Sequence, residues 1–86
     1  MIFKDGAGQI VKLELCDNDL FGDISLFEKL PRLEWLNIEG CSDLYGNVSV
    51  FQCFRNLQYL NVHGCSKLEG GHDSLRTALP NCDFHF

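Results

Sequence analysis

Apolar residues recur along this chain every twenty-four positions. The segment LEWLNIEGCSDLYGNVSVF, from Leu33 to Phe51, is followed by LQYLNVHGCSKLEGGHDSL, from Leu57 to Leu75, with Leu-Asn, Gly-Cys-Ser, a Leu and a Gly at matching places. Within the copies, Leu36 and Ile38, and then Leu60 and Val62, alternate with polar neighbours. That two-residue period is the pattern of a strand with one buried face. An earlier copy, LELCDNDLFGDISLF, carries Leu13 and Leu15 and is one residue shorter before Leu20. Further columns run through all three copies: Leu20, Leu44 and Leu68; Gly22, Gly46 and Gly70; Phe27, Phe51 and Leu75. Ile24 and Val48 also match, each followed by a serine, whereas the third copy has His72 there behind a doubled glycine and reads as a degenerating last repeat.

A strict period of this length is the signature of repeat architectures. The columns resemble the leucine-rich repeat family, whose core reads L-x-x-L-x-L-x-x-N/C-x-L. The trailing LFGDIS and LYGNVS look like the longer subclass of plant-type receptor repeats, and the resemblance runs from about Ile10 to the end. It implies an α/β fold: a short right-handed solenoid with a parallel sheet on its concave face and an irregular or short-helical convex side. Residues 1–9 read as a lead-in with a Gly-rich turn, 10–32, 33–56 and 57–80 as three repeats, and 81–86 as a partial one. In the partial repeat, Phe84 falls in register with Leu60 and Phe86 with Val62.

The resemblance also assigns inside and outside. Leu13, Leu15, Leu36, Ile38, Leu60 and Val62 point into the core, Leu20, Leu44 and Leu68 cover it, and Phe27, Leu30, Phe51, Phe54 and Leu75 fill the convex side. Asn18, Cys41 and Cys65 take the inward turn position, where a short polar side chain donates to neighbouring backbone carbonyls. Gly22, Gly46 and Gly70 allow a bend that a Cβ would obstruct. The alternate strand positions face outward: Lys12, Trp35, Tyr59 and Asp83 in one row, Glu14, Asn37, Asn61 and His85 in the next, then Cys16, Glu39 and His63. Trp35 beside Tyr59 is the feature that points to binding, because aromatic residues with a polar handle dominate interface hot spots. The competing reading is a cross-strand stack that only stabilises the sheet.

Eighty-six residues allow one small domain, and a net charge of −5 without any Lys/Arg cluster argues against nucleic acid and anionic membranes. No apolar run reaches the ~18 residues of a transmembrane helix, so no membrane insertion is expected. Five cysteines, an odd number, and an amino terminus unlike a signal peptide point to reduced thiols in a cytoplasmic setting. Cys41 and Cys65 read as buried polar plugs, with a disulfide between them the minor alternative. His63, Cys65, Cys82 and His85 are the only set with zinc-like chemistry, but Cys65 is expected inward and His63 outward, so no metal or cofactor is expected. Gly6-Ala7-Gly8 reads as a turn rather than a phosphate loop.

The expectation is therefore a non-catalytic protein-protein interaction module that binds a protein or peptide on the concave sheet face. The binding residues would be Lys12, Glu14, Trp35, Asn37, Glu39, Tyr59, Asn61, His63, Asp83 and His85. The alternative is a fragment of a longer leucine-rich-repeat receptor or adaptor acting as scaffold. Self-association through the C-terminal edge strand is a further expectation, since that strand ends on apolar residues.

Overall fold

A computed structural model describes residues 2–16 and 20–86. The chain is mixed α/β, with eight short strands, two 3-10 segments and one helix among the described residues. The strands are β1 (Ile2–Lys4), β2 (Ile10–Glu14), β3 (Phe21–Asp23), β4 (Trp35–Asn37), β5 (Asp43–Asn47), β6 (Tyr59–Asn61), β7 (Lys67–Glu69) and β8 (Asp83–His85). They form a five-stranded sheet in the order β1-β2-β4-β6-β8 and a three-stranded sheet in the order β3-β5-β7.

The apolar alternation fixes the register of the larger sheet. Leu13, Leu36, Leu60 and Phe84 lie opposite one another in parallel pairings, with Lys12, Trp35, Tyr59 and Asp83 on one side and Glu14, Asn37, Asn61 and His85 on the other. Leu36, Ile38 and Leu60 are fully buried and Leu13 nearly so; with Leu44, Phe27, Phe51, Phe54 and Leu75 they form one continuous core. The apolar strand residues therefore face inward as the two-residue period requires.

Two features depart from the expected architecture. The larger sheet is not wholly parallel, because β1 pairs antiparallel with β2, placing Phe3 opposite Lys12. The connecting turn is held by Asp5, whose carboxylate accepts the backbone N–H groups of Ala7 and Gln9 at 2.9 Å each. The segments that follow the strands of the larger sheet are also more regular than an irregular return. They contain a second parallel sheet, in which Gly22 lies opposite Leu44 and Gly46 opposite Leu68. The equivalent glycines of successive copies are thus two residues out of step across this sheet.

Helical segments follow each strand of the second sheet. Ile24–Lys29 and Val48–Cys53 are 3-10 turns, and His72–Ala78 is the helix α1. The first two begin alike: Asp23 and Asn47 sit at the cap position, and their side-chain oxygens accept the N–H of Ser25 and Ser49 at 2.9 Å. The third copy has Gly71 at that place, with no side-chain cap. It is not simply a degenerate repeat, because its return forms the longest helical segment and buries Leu75 as the others bury Phe27 and Phe51.

The caps explain the glycine column. Gly22, Gly46 and Gly70 have φ of 123°, 127° and 106°. A Cβ on Gly46 would lie 2.7 Å from the Asp23 carboxylate and 2.9 Å from Ile24, and one on Gly70 would overlap the Asn47 side chain. Each of these glycines thus packs on the cap of the preceding copy, whereas a Cβ on Gly22 would meet nothing within 4 Å. Asn18, expected at the first turn position, lies outside the described residues.

Gly22→Ala should therefore carry only dihedral strain, about 1–3 kcal/mol. Gly46→Ala should destabilise more, because the clash also disturbs the Asp23 cap. Urea unfolding of the two variants checks this, with a lower midpoint expected for Gly46→Ala.

Candidate functional site

The outward row of the larger sheet is the most developed polar-aromatic surface of the molecule. Trp35 and Tyr59, opposite each other on β4 and β6, stack with ring centroids 3.9 Å apart and planes 13° from parallel. On the far side of Trp35, the Lys12 ammonium lies 4.5 Å from its ring and 5.2 Å from that of Phe3. Glu14 holds the same ammonium at 3.6 Å. On the far side of Tyr59, the His85 ring is centred 5.1 Å away, and His85 Nε2 reaches the Asp83 carboxylate at 3.4 Å. A row of rings and charges thus crosses all five strands. Sequence reasoning placed Lys12, Trp35, Tyr59 and Asp83 in that row but missed Phe3, because the reversal that turns β1 back along β2 carries no apolar alternation.

The rings face one another along the row, so only part of each ring's edge is open to solvent. Trp35 and Tyr59 are accordingly half-buried. The indole Nε1 of Trp35 is buried and has no hydrogen-bond partner among the described residues. Such an orphaned donor costs about 1–3 kcal/mol, which the ring contacts must offset.

The second row behaves differently from expectation. Asn37 and Asn61 both turn back on the chain, their side-chain oxygens accepting the N–H of Glu39 at 3.1 Å and of His63 at 3.0 Å. Asn61 also donates from Nδ2 to the Tyr59 hydroxyl at 3.3 Å. At 8% exposure Asn61 is buried and cannot serve as a contact residue as expected; its place is structural, ending β6 and steadying Tyr59. Glu14, Asn37 and Glu39 remain half-buried, and His63 and His85 are exposed. The two histidines engage different groups. His63 Nδ1 lies 3.2 Å from the Phe86 carbonyl, an interaction that needs its proton on that nitrogen.

The turn cysteines act as plugs. Cys41 Sγ donates to the Leu15 carbonyl at 3.0 Å, and Cys65 Sγ to the Ile38 carbonyl at 2.9 Å. Both are buried, and Cys16, Cys53 and Cys82 are also free thiols. Burial pushes the Cys65 thiol up to about 11, a backbone hydrogen bond at Cys41 opposing it. Burial, with the Asp83 charge added, pushes Cys82 up to about 11. His63 and Cys65 diverge, the one to the surface and the other to the core, and no group of three or more His, Cys, Asp or Glu gathers into a metal-binding set among the described residues.

Below the last strand lies a cavity of about 220 Å³ lined by Val48, Val62, Cys65, Leu68, His72 and Phe86. Phe86 closes one side of it, with His72 stacked on its ring at 3.8 Å and the Arg76 guanidinium 4.9 Å from it. No helix of the described residues is long and apolar enough to cross a membrane. Comparison of the chain with protein-family models, with curated proteins and with solved structures finds no match.

Alkylation of the native chain with iodoacetamide at pH 8.5 should modify exposed Cys16 well before Cys65, which is buried and holds its proton. Mass spectrometry of timed digests reads the order, and equal rates would contradict the plug. Since the folded chain binds the Cys65 and Cys82 protons more tightly than the unfolded chain does, their contribution to stability is complete below about pH 9 and is lost as pH rises towards 11.

Proposed function

We propose that the chain is a leucine-rich-repeat solenoid that binds a protein or peptide on the outward face of its five-stranded sheet, without catalysis. The observation that carries this reading is the unbroken row from Phe3 through Lys12, Trp35 and Tyr59 to His85. It offers apolar area from Phe3, Trp35 and Tyr59 with polar groups on Lys12, Tyr59 and His85, close to the composition of an interface hot spot. Three carboxylates, Glu14, Glu39 and Asp83, flank it, and the chain is acidic overall, so a basic partner fits best. The repeat reading is supported by the recurrence of Leu13, Leu36 and Leu60, by the paired caps at Asp23 and Asn47, and by the glycines that pack on those caps. The bonds from Cys41 and Cys65 to backbone carbonyls also support it, since the resemblance implies such donors at those turn positions.

One observation favours the alternative, a scaffold segment of a longer repeat receptor or adaptor. The faces of Trp35 and Tyr59 are already spent on each other and on their neighbours, as in a ladder that only stiffens the sheet. A third partner class is a second copy paired along β8, which lies at the sheet edge. Light scattering on the 86-residue chain reads this association directly.

A peptide selected against the wild-type chain from a displayed library should lose about 30-fold in affinity to a Trp35→Ala/Tyr59→Ala variant, the loss of one hot-spot pair. The variant should keep its circular dichroism. Undiminished binding by a folded variant would contradict the assignment of this face and favour the scaffold.

A further inference from the structure

The most exposed aromatic surface lies elsewhere, on the outer face of the three-stranded sheet. Gly22, Leu44, Gly46 and Leu68 turn towards the interior, so the residues between them face out. Phe21 is 80% exposed and Tyr45 50% exposed. They hold the same place in successive copies, LFG and LYG. A single exposed aromatic needs no explanation, but here two recur in a charged frame.

Three carboxylates surround them. Phe21 lies opposite Asp43, and Tyr45 lies between Asp23 on one neighbouring strand and Lys67 on the other. Glu69 shares the outer face of β7 with Lys67. Lys67 is drawn to Asp43 at 3.2 Å, whereas Asp23 and Glu69 have no ion-pair partner among the described residues. The face is therefore net negative. In the five-stranded sheet Trp35 lies between Lys12 and Tyr59, and Tyr59 between Trp35 and His85. Phe21 and Tyr45 have no ring or cation against them among the described residues.

Exposed aromatic rings beside carboxylates without an ion pair, Glu69 and the cap residue Asp23, suit one side chain above others. A guanidinium stacks flat on a ring and presents a fork of donors to a carboxylate, whereas an ammonium is a hydrated point charge that does neither as well. Phe21 and Tyr45 are diagonal neighbours on adjacent strands, ~7–8 Å apart, and an extended strand that crosses them obliquely projects alternate side chains at ~6.6 Å intervals. The negative face disfavours phosphate-bearing ligands.

We propose that the outer face of the three-stranded sheet docks an arginine-bearing extended segment of a partner protein, with guanidinium groups against Phe21 and Tyr45 and their charge met by Asp23 and Glu69. The site is separate from the face of the five-stranded sheet and does not depend on it.

The probe is a short fluorescein-labelled peptide of alternating arginine and serine, titrated into the isotope-labelled 86-residue chain. Amide shifts should cluster on residues 21–23, 43–47 and 67–69. A Phe21→Ser/Tyr45→Ser variant should bind about ten-fold more weakly, and the lysine version of the peptide should bind the wild type several-fold more weakly. Should the double variant not fold, Glu69→Lys, at an exposed residue whose side chain has no ion pair among the described residues, should weaken binding several-fold. Absence of binding, shifts confined to the five-stranded sheet, equal binding of the lysine peptide, or undiminished binding by the folded variants would each overturn the proposal. Trp35→Ala/Tyr59→Ala should leave this binding unchanged, which separates its outcome from that of the other face.

Discussion

The parallel register that sets Leu13, Leu36, Leu60 and Phe84 opposite one another is the constraint on which the rest of the structure depends. A strand of three to five residues with one apolar face cannot bury that face alone. Pairing in this register does so, by placing each inward leucine against the next. Because strand side chains alternate with a period of two, the same register stacks Trp35 on Tyr59 outside and aims the Cys41 and Cys65 thiols at carbonyls of the preceding copy inside. A slip of one residue would turn the leucines to solvent and the aromatic row inward.

The register was legible in the sequence because the apolar columns recur with few interruptions. Their alternation located the two rows that flank the leucines in the pairing, and Cys41 and Cys65 bond to carbonyls as the resemblance implies. The second sheet was not legible. Its strands are three to five residues long and two contain a glycine, which by local rules marks a turn. Its two-residue offset has no counterpart in the aligned copies, because its pairing does not set equivalent residues opposite one another. Asn61 was misplaced for a different reason. Strand position gives the face of a side chain but not whether a neighbour covers it, and Tyr59 and the turn at His63 together enclose this one.

The two outward faces put aromatic rings to contrasting uses. In the larger sheet they stand face to face with Lys12 between Phe3 and Trp35, and the surface presents ring edges among carboxylates. In the smaller sheet Phe21 and Tyr45 are exposed, with no ring stacked on them among the described residues. The difference follows from register. Trp35 lies directly opposite Tyr59, whereas Phe21 lies opposite Asp43 and Tyr45 opposite Asp23. Side chains directly opposite across a strand pair meet, and diagonal ones are further apart. The offset that hides the second sheet from sequence analysis is thus also what leaves its aromatic residues free.

The most direct test of the register is a map of interproton contacts in the labelled chain. The methyl groups of Leu36 should contact those of Leu60, and the indole of Trp35 should contact the Tyr59 ring. Contacts from the Leu36 methyls to the Tyr59 ring, with none between the two leucines, would show the strands displaced and would contradict the account.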